Sequence, residues 1–277
     1  MVPSSLSLIP SERPVRGRLG CTMDVVTWNV NSLRARLPRV LPWLEARRPE
    51  VVCLQETKVE DDKFPLEPLE ELGYEVVFHG QKTYNGVAIL SRVGIEDVIR
   101  GMGDGEEDER RVIAATVGGS LRVLNVYVVN GEAVGSPKYE HKLAWLERLH
   151  DFVDATYHPE EELVVCGDFN ITFDDRDVHD PRAWRDKVLC SDPERDGLAQ
   201  LMSCGLKDAL RAHDESGGIY TWFDFRSRGF DRGAGLRIDH FLLSKSALER
   251  CTGVTVDLEE RGREKPSDHA PVIAHLD

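Results

Sequence analysis

Tyr74-Glu75-Val76-Val77-Phe78, Gly86-Val87-Ala88-Ile89-Leu90-Ser91, Val112-Ile113-Ala114-Ala115-Thr116-Val117 and Leu121-Arg122-Val123-Leu124-Asn125-Val126-Tyr127-Val128 succeed one another with no helical periodicity between them. Each is a short apolar run of the strand type, bounded by turn residues. Consecutive strands without a crossover helix pair antiparallel. An eight-fold β/α barrel fits this stretch poorly, because its helix–strand alternation fails across residues 74 to 128.

Outward from this stretch, helices appear. Before it, Asp24 to Trp28 and Val51 to Leu54 read as buried strands. Between them Leu33, Leu37, Val40 and Leu44 recur at helical spacing, with Pro42 expected to bend that helix. Pro65 to Leu72 reads as a short helix stopped by Gly73. After it, Ser136-Pro137 caps a helix whose Leu143, Leu146, Leu149 and Val153 face a core. There follow a strand from Glu162 to Cys166, a capped helix from Asp192-Pro193 to Gly205, and strands near Ile219 to Phe223, Arg237 to Leu243 and Thr252 to Val256. The acidic run Asp104 to Glu109 reads as a solvated hairpin tip. Helices early in each half followed by runs of strands give an α/β fold: a sandwich of two mixed β-sheets face to face, with helices on the outside.

Composition bounds the rest. The 277 residues carry no linker-like segment, so residues 23–277 read as a single catalytic domain. Residues 1–22 read as a disordered N-terminal extension or as the product of a start codon set too early. A balance of 35 basic against 49 acidic residues argues against indiscriminate coating of polyanions, though not against a local basic strip. The six cysteines form no Cys-x-x-Cys and read as reduced thiols of a cytoplasmic protein. No apolar run approaches the roughly 18 residues that span a bilayer, so no membrane partner is expected.

Chemistry enters at the ends of the strands. Asn29, Glu56, Asp168, Asn170 and Asp239 follow apolar runs and Asp268 and His269 stand just ahead of one, and such strand ends converge on one rim when the strands share a core. Asp268 and His269 sit between Pro266 and Pro271, which favour a loop, where neighbouring side chains can act together. Carboxylates and carboxamides without cysteine or paired histidines are hard oxygen donors that select Mg²⁺, with Mn²⁺ as a substitute. A hard cation beside an acid–base set suits phosphoester hydrolysis. Asp239 and His240 compete as partner for His269; neighbours in a strand face oppositely, and Asp239 is the choice.

Trp28-Asn29-Val30-Asn31, Gln55-Glu56-Thr57-Lys58, Tyr84-Asn85-Gly86-Val87-Ala88, Gly167-Asp168-Phe169-Asn170, the segment Thr221 to Asp231, and Lys265 to Val272 stand in one order along the chain. From Asp24 to Leu276 the chain resembles the exonuclease III family of AP endonucleases, within the endonuclease/exonuclease/phosphatase superfamily. The resemblance implies a four-layered α/β sandwich and hydrolysis of the DNA backbone 5′ to an abasic site, leaving a 3′-hydroxyl. By position it implies Glu56 as principal metal ligand, with Asn29, Asn31 and Asp268 around it, and Asp168, Asn170 and His269 also within reach of the metal. It gives Asp168 the attacking water, Asn170 the water and phosphate, Tyr127 the scissile phosphate, and Asp239 the orientation of His269. Whether Asp168 or His269 is the base stays open, as does one metal or two. The chain departs from the family in having Val129 before Asn130, where proline is common.

For substrate, Trp222, Leu236 and Ile238 are expected to form an apolar pocket for a flipped-out, baseless sugar. Asn31, Arg34, Arg36, Lys58, Lys82, Arg226, Arg228, Arg232 and Arg237 are expected to contact it or track the phosphates of double-stranded DNA with abasic or damaged 3′ ends. A monomer is expected. Two rivals remain: another phosphoesterase of the superfamily, which has no use for Trp222 or the flanking arginines, and a non-catalytic DNA-binding protein, which has no use for Glu56, Asp168 or His269.

Overall fold

The computed structural model describes residues 22–103, 109–158 and 160–277. In chain order the strands are β1 (Met23–Asn29), β2 (Val51–Gln55), β3 (Glu75–His79), β4 (Val87–Ser91), β5 (Ile95–Arg100), β6 (Val112–Val117), β7 (Leu121–Tyr127), β8 (Leu163–Asp168), β9 (Lys207–Asp208), β10 (Asp239–Leu243), β11 (Cys251–Val256) and β12 (Val272–Leu276). The longer helices are α1 (Leu33–Arg47), α2 (Pro137–Thr156) and α3 (Asp192–Met202).

Two six-stranded sheets result, ordered β11-β12-β1-β2-β4-β3 and β5-β6-β7-β8-β10-β9. β1 and β2 run parallel, as do β7 and β8, and the remaining pairs are antiparallel. Strand alternation divides the apolar residues among three cores. Val25, Val51, Cys53 and Ile89 of one sheet meet Val123, Val164, Cys166 and Phe241 of the other. On the outer faces, Val26, Val52 and Leu54 pack under Val40, Trp43 and Leu44 of α1, and Leu124, Val126 and Val165 under Trp145, Leu149 and Val153 of α2. These are the four layers of an α/β sandwich.

This alternation also places the rim. Asn29 shares a strand face with Val25, Asp168 with Val164 and Cys166, and Asp239 with Phe241, so all three point between the sheets at one end of the core. In register, Asp168 stands opposite both Tyr127 on β7 and Asp239 on β10. Gly167 makes the approach possible: with φ 150° its missing Cβ would run into the Val126 carbonyl.

Several elements differ from expectation. β5 was not anticipated, because a register shift between Glu96 and Ile99, with Asp97 at φ 51°, breaks its alternation. Ile219 to Phe223 forms no strand; Trp222 makes only isolated bridges to Leu236 and His269. The helix near residue 67 shrinks to Glu67–Glu70, and α1 runs through both Pro38 and Pro42, carried by its buried face. The buried stripe of α2 includes Lys142 in place of the expected Leu143, which is only partly covered. The proposed extension over residues 1–22 lies outside the described residues save for Thr22, and the acidic tip at 104–108 lies outside them altogether.

Candidate active site

The loops leaving β1, β2 and β8 carry positive φ at non-glycine residues: Asn31 at 44°, Ser32 at 83°, Glu56 at 51°, Lys58 at 51° and Asn170 at 52°. Each such residue costs on the order of 1 kcal/mol, and a cluster persists only where the surroundings enforce it, typically around chemistry. Ser267 Oγ donates to Asn29 O (2.7 Å) and Trp28 Nε1 to His269 O (3.2 Å), binding the terminal loop to the end of β1.

Asn29, fully buried, is the hinge of the rim. Its Nδ2 donates to Glu56 Oε1 and to Asp168 Oδ2, both at 2.8 Å, while its Oδ1 accepts from Asn31 N at 2.9 Å. Asp168 Oδ1 accepts from Asn170 N (2.9 Å). Asn170 Nδ2 is shared between Val128 O (3.1 Å) and Asp168 Oδ2 (3.3 Å), and Asn170 Oδ1 accepts from Asn130 Nδ2 (2.9 Å). Asn130 was not among the expected site residues; it follows Val129 with no charged neighbour to mark it, and only the fold brings it to Asn170.

His269 Nδ1 lies 3.0 and 2.9 Å from the two oxygens of Asp239, and its Nε2 lies 3.7 Å from Asp168 Oδ2. Thr221, also unanticipated, donates from Oγ1 to Asp239 Oδ2 (2.6 Å) and accepts from Asp239 N (3.2 Å). His240 faces the helix layer, its Nε2 2.7 Å from Ile171 O. Burial pulls the His269 imidazole down, but Asp239 and Asp168 overcome it and lift the group to about 10, so it is an imidazolium at neutral pH. Burial pushes Asp168 up to about 7, helped by Asp239 and Glu56 and opposed by His269. Tyr127 is pushed well above its ordinary value by burial and by Glu56 and Asp168, so its hydroxyl stays a donor.

A second cluster forms around one cation, Lys58. Lys58 Nζ sits 2.6 Å from Glu56 Oε2 and 2.7 Å from Asn31 Oδ1, and Asn31 Nδ2 donates to Asp268 Oδ1 (2.9 Å). Trp222 Nε1 donates to the other oxygen of Asp268 (3.1 Å). Burial raises both carboxyls, yet Lys58 and Asn29 carry Glu56 below the ordinary range, and His269, Asn31 and Trp222 do the same for Asp268. Both are ionised. An ammonium already rests on oxygens of this set, which contains no thiolate, so its chemistry fits a hard divalent ion. Asp168, Asp239 and His269 also approach closely enough to form a metal group.

These contacts admit a pH prediction. With Asp168 at about 7 and His269 at about 10, kcat is expected to rise through pH 7 as Asp168 ionises and to fall near pH 10 as His269 loses its proton. A steady-state profile lacking the acid limb contradicts the assignment of Asp168.

The basic residues divide. Lys82, Arg226, Arg228 and Arg232 are exposed. Arg34 donates to Lys63 O (2.8 Å) and Arg36 to Pro266 O (2.9 Å). Arg237 is a correction: it is buried and forked onto Asp177 (2.7 and 2.9 Å) and Asp208 (3.1 and 2.7 Å), so it tracks no phosphate. It lies between Leu236 and Ile238, and alternation sends it to the side opposite theirs. Leu236 and Ile238 in turn are 0% and 1% exposed, packed with Val178, Leu189 and Cys190 and flanked by Trp184 and Trp222. Two of the three residues expected to form the apolar pocket are therefore covered by their neighbours, with Val178 bridged to Leu236, while Trp222 stays partly exposed.

Residues 26–269 match the Endonuclease/Exonuclease/phosphatase family. The chain belongs to this family. It is 37% identical to exodeoxyribonuclease III of Haemophilus influenzae over 92% of this chain and all of that one. Among solved structures it superposes on the 3′ phosphatase NExo of Neisseria, bound to a product DNA hairpin, with TM-score 0.89 and 48% identity over 92% of this chain and 99% of that one. An AP endonuclease of Archaeoglobus fulgidus gives TM-score 0.88 and 39% identity, with coverage of 92% and 99%. The chain is thus a nuclease of the exodeoxyribonuclease III and AP endonuclease type. Among the described residues no helix is long and apolar enough to cross a membrane.

Proposed function

We propose a Mg²⁺-dependent DNA repair nuclease, with Mn²⁺ as a substitute, acting as a monomer in base excision repair. Its single domain hydrolyses the phosphodiester 5′ to abasic sites in double-stranded DNA to leave a 3′-hydroxyl, with 3′→5′ exonuclease and 3′-end-cleaning activity. The observation that carries this is Asp168, held by Asn29 and the Asn170 N–H beside an imidazolium oriented by Asp239.

Glu56 and Asp268, with Asn31 between them, would hold the metal, which supplies neutralisation of phosphoryl charge and a lowered water pKa. Asn29 Nδ2 donates to Glu56 and Asp168, and Asn170 Nδ2 to Asp168, so these amides orient the carboxylates. Asp168 takes the proton of the attacking water. Tyr127 donates to the phosphate, and His269 offsets the charge on the phosphorane. The bond from phosphorus to the 3′ oxygen then breaks, and that oxygen gains a proton, for which His269 Nε2 is the charged donor in reach. Lys58, Lys82, Arg34, Arg226 and Arg228 would meet flanking phosphates.

A second reading concerns which activity leads. Leu236 and Ile238 expose no surface for a baseless sugar, and a cleft of about 360 Å³ that shares Val178, Trp184 and Cys190 with this cluster is not lined by them. Removal of 3′ phosphates, which leaves the sugar at a strand end, is therefore favoured over internal incision. On matched duplexes in Mg²⁺, 3′-phosphate release should exceed abasic-site incision by about tenfold or more, and Val178→Ala should narrow the gap. Equal rates oppose the second reading, and inertness on both duplexes opposes the first.

A further inference from the structure

We infer that Lys142 is a positioning residue for hydrolysis, anchoring the two loops that carry Asn130 and Asn170. Its side chain is fully buried on α2. Its Nζ donates to Asn170 O (2.7 Å), to Asn130 O (3.2 Å) and to Glu194 Oε1, which uses all three ammonium hydrogens. Both anchored carbonyls belong to residues whose side chains meet each other, Asn130 Nδ2 on Asn170 Oδ1.

Asn170 needs an anchor. Its φ is 52°, a conformation asparagine tolerates but does not choose over extended backbone, and its N–H and amide both fix Asp168. Rotation of this residue would turn the N–H away from Asp168 Oδ1. The far end of the anchor is equally rigid. Glu194, also fully buried, accepts from Leu189 N (3.0 Å) on Oε1, and from Ser191 N (3.1 Å) and Ser191 Oγ (2.6 Å) on Oε2. Tyr139 of α2 lies 2.7 Å from Ser191 Oγ. The pair thus joins α2, the start of α3 and the loop closed by Leu189 and Cys190 to the loop of Asp168.

A buried ion pair adds little net stability, and its replacement as a pair is often neutral, whereas loss of one partner strands the other charge. That asymmetry supplies the test, which rests on the hydrolytic reading of Asp168. Lys142→Met is expected to lower both Tm and kcat, the latter about tenfold or more with KM within about twofold. The neutral pair Lys142→Met/Glu194→Gln should regain Tm but not kcat. Leu44→Ala, in the core of the opposite sheet, should lose Tm and keep kcat. Hydrogen exchange, which needs no turnover, should quicken at residues 128–132 and 169–173 in the double variant and not in Leu44→Ala. If the wild type turns over no phosphoester, the hydrolytic reading fails while exchange still reports on the anchor. Wild-type kcat, or unchanged exchange at those residues, in the double variant overturns the assignment.

Discussion

Asp168→Asn is expected to lower turnover by about four orders of magnitude while DNA affinity stays within about threefold of wild type. In the proposed reaction the Asp168 carboxylate takes the proton of the attacking water, and asparagine cannot. Affinity should survive because the cations proposed to meet phosphates are other residues, Lys58, Lys82, Arg226 and Arg228. The fold should survive too. Asp168 is raised to about 7 by burial and by its acidic neighbours, against 3.8 in an open chain, so the folded state binds its proton more tightly. The stability it contributes is full below the unfolded value and is lost as pH rises through 7, so at pH 8 a neutral side chain gives up no net charge stabilisation, although the His269 imidazolium loses one of its two anionic neighbours. The substitution does set the new amide donor against either Asn29 Nδ2 or the Asn170 N–H, at a cost of about 1–3 kcal/mol. Turnover near wild type in a folded variant removes Asp168 from the reaction.

Removal of divalent metal is the second large effect. With excess chelator, hydrolysis should fall below detection, about 10³-fold or more, since the phosphoryl oxygens then face Glu56 and Asp268 without neutralisation. Glu56→Gln should raise the Mg²⁺ concentration for half-maximal rate by about tenfold or more, because it deletes the carboxylate oxygen on which Lys58 now rests. Unchanged metal dependence in that variant would move the ion away from Glu56.

How far the sequence foretells this site follows from what each signal measures. Asp239 was separable from His240 because strand alternation is strict, and the structure puts the former on His269 and the latter on Ile171 O. Asn29 and Glu56 were legible as polar residues after apolar runs, and Asp268 as an acid just ahead of one. Arg237 misled, since it was expected to track phosphates and its partners, Asp177 and Asp208, are 60 and 29 residues away. Lys142 hid in a helix whose apolar stripe it interrupts, and burial of a lysine is never the expectation of a pattern. Asn130 and Thr221 carry no charge and act through partners distant in the chain. Packing of Val178 over Leu236 is a loop-to-loop contact that no periodicity encodes.

The most direct measurement is cleavage of a duplex carrying one abasic-site analogue, alongside its 3′-phosphate counterpart, by the wild-type chain in Mg²⁺ and in chelator. Metal-requiring hydrolysis that leaves 3′-hydroxyl ends is the predicted result. Cleavage that persists in chelator, or none of either DNA in Mg²⁺, contradicts a rim built to bring a hard cation, a water and a backbone phosphate together.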